Sequence, residues 1–528
     1  MTIRQLLSLA RRSHKPSSSF TLVRSSSSAA ASNAEEFIKP TATIYDRIAH
    51  SLKAKLQKLE NPDIRFLKYG SPHPTQTPHT HILSRPETKI TTLPNGLRVA
   101  TESASNSRTA TVGVWMDAGS RFESDETNGT AHFLERVIFK GTEKRRAKGP
   151  EEEIENMGGH LNACTGREET AYYAKVMGKD VLKAVDILAD VLQNSKFEER
   201  CIRRERGVIL REMQAGGHAE EDVFDHLHST AFQYSPLGRN IHGTGDNIKT
   251  ISNEHLHHYI QTHYTTPRMV LAASGAVKHE EIVEQAKKLF TKLSSDSTTA
   301  TQLVAKEPAS FTGSEVRIIN DYVPLAKFAV AFEATSSTDP DSIALMVMRE
   351  MLGSWNKNAG CGKHMGFETL LNSSELVQRV SINEIAESMK AFSTNYKDTG
   401  LFGVYAVAKP DCLGDLSFAI MSAMTKLAYR VSEDDVIRAR NQLKSYLMLH
   451  TDGTTPIAED IGHQLLTYGW RIPFAELFAR IDAVDANTIK RVANRFLYDR
   501  DLAISAIGPI QDLPDYNWFR RRTYWNRY

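Results

Sequence analysis

Cysteine is scarce in this chain: Cys164, Cys201, Cys361 and Cys412 are the only four in 528 residues, and no two form a C-x-x-C pair. That spacing argues against a disulfide framework and a cysteine zinc site, and it fits a reducing compartment. Long hydrophobic runs are also missing. No stretch approaches the roughly 18 consecutive apolar residues of a membrane-crossing helix, so membrane association is expected only through partners. A large charge excess is lacking too, with 65 basic against 63 acidic residues. Nothing in that balance supports nucleic-acid binding. A composition of 41 % hydrophobic and 24 % charged residues over this length allows two or more water-soluble domains.

The basic charge that exists is gathered at the start. Residues 1–34 contain Arg4, Arg11, Arg12, Lys15 and Arg24, many serines and no acid before Glu35. Ile3, Leu6, Leu7 and Ala10 share one helical face, and Arg4, Arg11 and Lys15 cluster on another. A basic, acid-poor, amphipathic leader of this kind is the composition of an organellar transit peptide. Its five basic residues exceed the whole chain's net charge of +2, so the remainder is acidic. Residues 35–87, with Pro62, Pro72, Pro74, Pro78 and Pro86, read as an extended lead-in.

From Lys89 the pattern becomes that of a folded domain. ITTLPNGLRVATES predicts a hairpin turning at Asn95-Gly96, and TATVGVWMDAG predicts a further strand. HLNACTGREETAYYAKV reads as strands, and DVLKAVDILADVLQNS as an amphipathic helix. EERCIRRERGVILREM and EDVFDHLHSTAFQ predict two more helices, and MVLAASGAV, residues 269–277, a buried strand. A polar Ser/Thr-rich stretch at 294–314 is the best linker. On either side, TVGVWMDAGSRFESDE leads into a helix ending FKGT, and FAVAFEATSSTDPDS into one ending MLGS. The closing strands MVLAASGAV and LAISAIGPI also correspond. These parallels predict an α+β fold of two duplicated domains, 88–293 and 315–528.

One constellation carries chemistry. In AHFLERVIFKGT, His132 and Glu135 stand in the order of an inverted zinc-protease motif, H-x-x-E-H, but Arg136 replaces the second histidine. Positions 132 and 136 lie one helical turn apart and share a face. A zinc site requires a lone pair there, and a guanidinium has none. Aligning Gly141 with Gly353 puts Ala344, Val347 and Met348 at the corresponding places of the second half. Only the first half retains metal-site residues.

TLPNGLRVATE, DAGSRFESDETNGTAHFLE, FKGT, GGHLNA, VILREMQ, LGSWNKN, NEIAES and the tail DLPDYNWFRRRTYWNRY resemble the pitrilysin-type metallopeptidases. Within them, the similarity is to the β-type subunits of plant mitochondrial processing peptidase, from about Thr88 to Tyr528. The resemblance implies two pitrilysin-type α/β sandwich domains joined by a linker, and zinc as cofactor. It implies an α-type subunit as partner, other complex III subunits as neighbours and mitochondrial presequences as ligands, on the matrix side of the inner membrane. It places the third zinc ligand at Glu212, a supporting acid at Glu205 and a water-activating base at Glu135. Phe139 would shape the pocket, Asn162 and Ala163 would pair with the substrate backbone, and Glu221 and Asp225 would hold a presequence arginine.

The chain departs from that pattern at Arg136, at Cys164 and Gly166, at Ala215 to His218, and in the longer segment around GCGKHMG. Arg136 could take over the metal's charge by pairing with Glu212, Glu135 or both. His218 could instead swing in as a ligand beside His132. Three functions follow: a catalytically silent β-type subunit and complex III core protein, an active zinc endopeptidase, or a module that binds presequences without cutting them.

Overall fold

The Asn95-Gly96 pair makes the expected turn. Strands β1 (Lys89–Thr92) and β2 (Arg98–Ser103) pair antiparallel around it, with Thr92 opposite Arg98. Gly96 takes φ 91°, a left-handed value that side chains resist, and Asn95 Oδ1 accepts a hydrogen bond from the Leu97 amide. The structure is a computed structural model and describes residues 86–104, 106–215, 219–357 and 374–524. The expected transit peptide, most of the lead-in, His218 and GCGKHMG lie outside the described residues.

Strand β3 (Thr109–Met116) leads into helix α1 (Thr130–Val137), which carries the His-Glu-Arg motif. Strands β4 (His160–Thr165) and β5 (Thr170–Met177) form a hairpin, followed by helix α2 (Val181–Asn194). Helices α3 (Glu199–Ala215) and α4 (Ala219–Ala231) come next, and then strand β6 (Met269–Gly275). The first sheet has the order β1-β2-β6-β3-β5-β4, so β4 is an edge.

The stretch expected as a linker contains a helix, α5 (Ala300–Lys306). Thr299 and Gln302 form its capping box, and Ala300 and Val304 are buried. The second half then repeats the plan. Strands β7 (Ser314–Ile319) and β8 (Ala326–Ala334) precede helix α6 (Ser342–Leu352), strand β9 (Ser354–Asn356) and strands β10 (Ser388–Asn395) and β11 (Gly400–Ala408). After helices α7 (Glu433–His450) and α8 (Thr454–Tyr468), strand β12 (Leu502–Gly508) completes a sheet ordered β7-β12-β8-β11-β10-β9. Ala344, Val347 and Met348, the counterparts of the motif residues, are buried in the hydrophobic core.

Every residue of β6 is buried, which requires cover on both faces of the sheet. Met269, Leu271 and Ala273 meet the first half's own core, whereas Val270 and Ala272 pack with Trp115 against Ala458, Ile461 and Leu465 of α8. Helix α4 reciprocates: Val223, Leu227 and Ala231 cover Ala329, Ala331 and Ala503 of the second sheet. Each half therefore lends a helix to the other. Thr111 bonds Thr454 and Thr455 at 2.9 and 3.0 Å, and Arg98 donates to the Leu465 carbonyl at 2.6 Å. No described helix is long and apolar enough to cross a membrane.

Helix α8 runs close over Trp115 at Gly462, where a Cβ would lie 2.3 Å from Trp115 Cγ. Gly462→Ala is expected to lower stability by about 1–3 kcal/mol, read as a fall in the denaturant midpoint. Gly414 has open space around its Cβ position, so Gly414→Ala is expected to be neutral or slightly stabilising. Equal effects at the two positions would show that helix and sheet are not in register at Trp115.

Candidate metal and peptide site

Helix α1 is set in place by a carboxylate that lies outside it. Glu123 accepts from the Gly129 amide at 2.8 Å, the Ala131 amide at 2.6 Å and the Asn128 side chain at 2.8 Å. These bonds satisfy the first donors of the helix. Burial pushes the Glu123 carboxyl up to about 7 despite them. No capping residue directly before the helix signals this in the sequence.

His132, Glu135 and Arg136 project from α1 into the space beside α3. Burial, aided by His242 and Arg136, holds His132 down to about 3, so its imidazole is neutral. Its Nδ1 is buried with no hydrogen-bond partner among the described residues, and its ring meets His242 edge-on at 4.6 Å. Burial raises Glu135, while Thr165 and the Arg136 charge oppose the rise. Arg136 Nη2 donates to Glu212 Oε1 at 2.7 Å. Of the two expected partners, Glu212 is the one in ion-pair contact. Glu205 lies two turns earlier on α3, half-buried.

A neutral histidine with a spare lone pair suits a metal, but the rest of the donor set does not. Glu212 is engaged by a guanidinium, and no three His, Cys, Asp or Glu side chains among the described residues are grouped to hold an ion.

Two clefts meet at His132. One, of about 720 Å³, is lined by Glu135, Ala163, Thr165, Glu221 and Asp225; the other, of about 240 Å³, by Arg136, Glu212, Glu221 and His242. Asn162 and Ala163 lie on β4, and among the described strands only β5 pairs with it. In the second half the corresponding edge, β10, is covered by the chain's own β9, antiparallel, with Trp355 opposite Met389. The two copies thus differ in one respect that matters for peptides: β4 presents an open edge.

The acids expected to hold a presequence arginine are placed differently from each other. Glu221 is exposed in the first turn of α4 and lines both clefts. Asp225 is buried and forms an ion pair with Arg167, an internal guanidinium. Phe139 lies in the core, edge-on to Tyr172 at 5.8 Å, rather than on the wall of either cleft. Sequence reasoning missed His242, Arg167 and Glu123. His242 has no regular spacing to His132, so only the fold could pair them.

Several histidines are neutral because they are buried. His228 is enclosed between the Tyr396 hydroxyl and the Phe224 carbonyl, each at 2.7 Å, and burial holds it well below its ordinary value; His132 and His263 are held down to about 3. A histidine depressed in the fold takes up protons more readily when unfolded, so its stabilisation is lost as pH falls below about 6.5. Glu123 acts in the opposite sense, since its raised carboxyl loses stability as pH rises through about 7. Asp117, Glu135 and Glu168 are raised with Glu123, but five histidines are depressed, His257 and His279 included, and the thermal midpoint is expected to fall as pH is lowered from about 7 to about 4. A flat profile over that range would contradict the neutral-histidine assignment.

Two sheets that share a five-strand order, β2-β6-β3-β5-β4 and β7-β12-β8-β11-β10, with a His-Glu helix facing a glutamate in the first half and an apolar counterpart in the second, define a duplicated metallopeptidase scaffold. The chain belongs to peptidase family M16: residues 98–245 match the insulinase (peptidase family M16) domain, and residues 250–443 the peptidase M16 inactive domain. More narrowly, it is 68 % identical to the probable mitochondrial-processing peptidase subunit beta of Arabidopsis thaliana, over 100 % of both chains. It is 48 % identical to the Bos taurus mitochondrial-processing peptidase subunit beta, over 85 % of this chain and 90 % of that one. A chain of complex III2 from Candida albicans shares the fold with TM-score 0.72 at 25 % identity, covering 83 % of this chain and 100 % of that chain. A protease from Helicobacter pylori shares the fold alone, with TM-score 0.69 at 19 % identity over 80 % and 99 %.

Proposed function

We propose that this chain is a β-type subunit of mitochondrial processing peptidase and a core protein of complex III, and that its own peptidase site is silent. It works in the mitochondrion, on the matrix side of the inner membrane, beside an α-type subunit and other complex III subunits. The relatives support the assembly, and one contact supports the silence: the Arg136–Glu212 ion pair, which supplies a positive charge where the family places zinc. With a guanidinium at 136, Glu135 would have no metal-bound water to activate.

The scaffold retains features for holding a presequence. The open β4 edge offers backbone hydrogen bonds to an extended peptide, and Glu221 brings negative charge to both clefts. We take presequence binding without cleavage as the activity of this cleft. The test is to purify the full chain with an α-type subunit, measure zinc by elemental analysis and assay cleavage of a precursor. Expected are little zinc and no chelator-sensitive cleavage by this site. Zinc close to one per chain, together with cleavage abolished by Glu135→Gln, would sink the proposal.

His242 favours a second reading. Its ring against His132 puts another nitrogen donor at the site, so an active zinc endopeptidase could use His242 in place of residue 136. That reading requires bound zinc in the wild type and its loss in His242→Ala.

A further inference from the structure

On the second-half side of the cleft, one ammonium is held in three ways. Lys390, on β10, forms an ion pair with Glu220 at the start of α4, and its Nζ lies 5.7 Å from the Phe224 ring centroid and 5.9 Å from that of Tyr405. Phe224 and Tyr405 are themselves stacked, 5.7 Å apart at 27°, and Phe392 braces Phe224 edge-on at 4.8 Å. A carboxylate combined with two ring faces is chemistry that selects a cation, a guanidinium above all.

The location gives this group a role beyond an ordinary ion pair. Glu220 lines the 720 Å³ cleft that contains His132, Glu135 and Ala163, and also a second cleft of about 630 Å³ bounded by Trp355, Met389 and Tyr405. The Lys390–Glu220 contact stands where the two clefts adjoin. Its side chains are 47 % and 48 % exposed, so Lys390 can leave for water at small cost, unlike the buried Arg167 on Asp225.

We infer that Glu220, Phe224 and Tyr405 form a seat for an arginine or lysine of a basic peptide lying along β4, and that Lys390 is its built-in competitor. The inference rests on the peptide-binding reading of the cleft. An incoming cation displaces the ammonium, takes over its contacts with the carboxylate and rings, and extends the bound peptide toward the second half. Lys390 then limits how tightly weakly basic peptides can bind.

The experiment measures fluorescence anisotropy of a short labelled Leu/Arg peptide against the full chain, in wild type, Lys390→Met, Lys390→Arg, Glu220→Gln and the Lys390→Met/Glu220→Gln double variant. Methionine keeps an apolar stem over the rings and removes the charge. Lys390→Met is expected to bind roughly five- to tenfold tighter than wild type, and Lys390→Arg like wild type. Glu220→Gln weakens binding and cancels the gain in the double variant. A peptide with norleucine for arginine shows no gain. If wild type and Lys390→Met bind the peptide equally, or the variant binds less, the competitor role is overturned while peptide binding stands. A gain that survives in the double variant overturns the seat. Binding by neither protein removes the underlying reading as well.

Discussion

Arg136→His is expected to hold close to one zinc per chain by elemental analysis, where the wild type holds next to none. The substitution releases Glu212 from its 2.7 Å ion pair and puts an imidazole on the helix face that already carries His132. His132 is neutral, with its lone pair uncommitted, so deprotonation is not an obstacle. Two histidines, Glu212 and a water would complete a four-coordinate site. Added zinc should then raise the thermal midpoint of the variant and leave that of the wild type unchanged, because only a state that binds the ligand is stabilised by it. Arg136→Lys keeps the charge and should stay metal-free. Zinc at equal levels in wild type and Arg136→His would mean that residue 136 does not control occupancy. Zinc without restored cleavage would direct attention to Cys164, which lines the same cleft as His132 and Glu135.

Arg121→Ala is expected to lower stability by about 3–5 kcal/mol. Arg121 is buried and donates to Glu168 at 2.7 Å, and it forms a two-pronged bond to Asp398 at 2.7 and 2.6 Å. Asp398 belongs to the second half, and Lys397 beside it reaches back to Asp117 at 2.8 Å. The turn of the β4–β5 hairpin and that of the β10–β11 hairpin are thus joined by largely buried charges. Removing the guanidinium leaves two carboxylates without their main partner in a low-dielectric setting. The check is the free energy of unfolding in denaturant, with Lys89→Ala as control. Lys89 pairs with Glu280 at an exposed position, and its loss should change stability by no more than about 1 kcal/mol. Similar losses for the two variants would refute the claim that the buried cluster joins the halves.

Much of the fold was legible because its signals are local. The Asn-Gly hairpin, the amphipathic period of α2 and the buried run of β6 each declare themselves within a few residues. That Arg136 shares a helix face with His132 was legible for the same reason, since two positions one turn apart must lie on one side. The helix inside 294–314 was less visible: its capping box lies in a polar stretch, and only two buried side chains fix it. Glu123 was hidden because a capping carboxylate usually sits at the helix start, whereas this one reaches Gly129 from six residues away.

By itself, the sequence determined the two copies, their strand and helix content, the family and a guanidinium, with no lone pair to give, one turn from His132. These depend on chain periodicity and on what a side chain can donate, and neither requires knowing its neighbours. Tertiary structure alone decided which acid Arg136 engages, that Arg167 already occupies Asp225, that His242 stands against His132 and that Lys390 sits on Glu220. It also decided that each sheet is covered by a helix of the other half. Such pairings arise between residues far apart in the chain, brought together because strands buried on both faces must find apolar cover and buried charges must find partners.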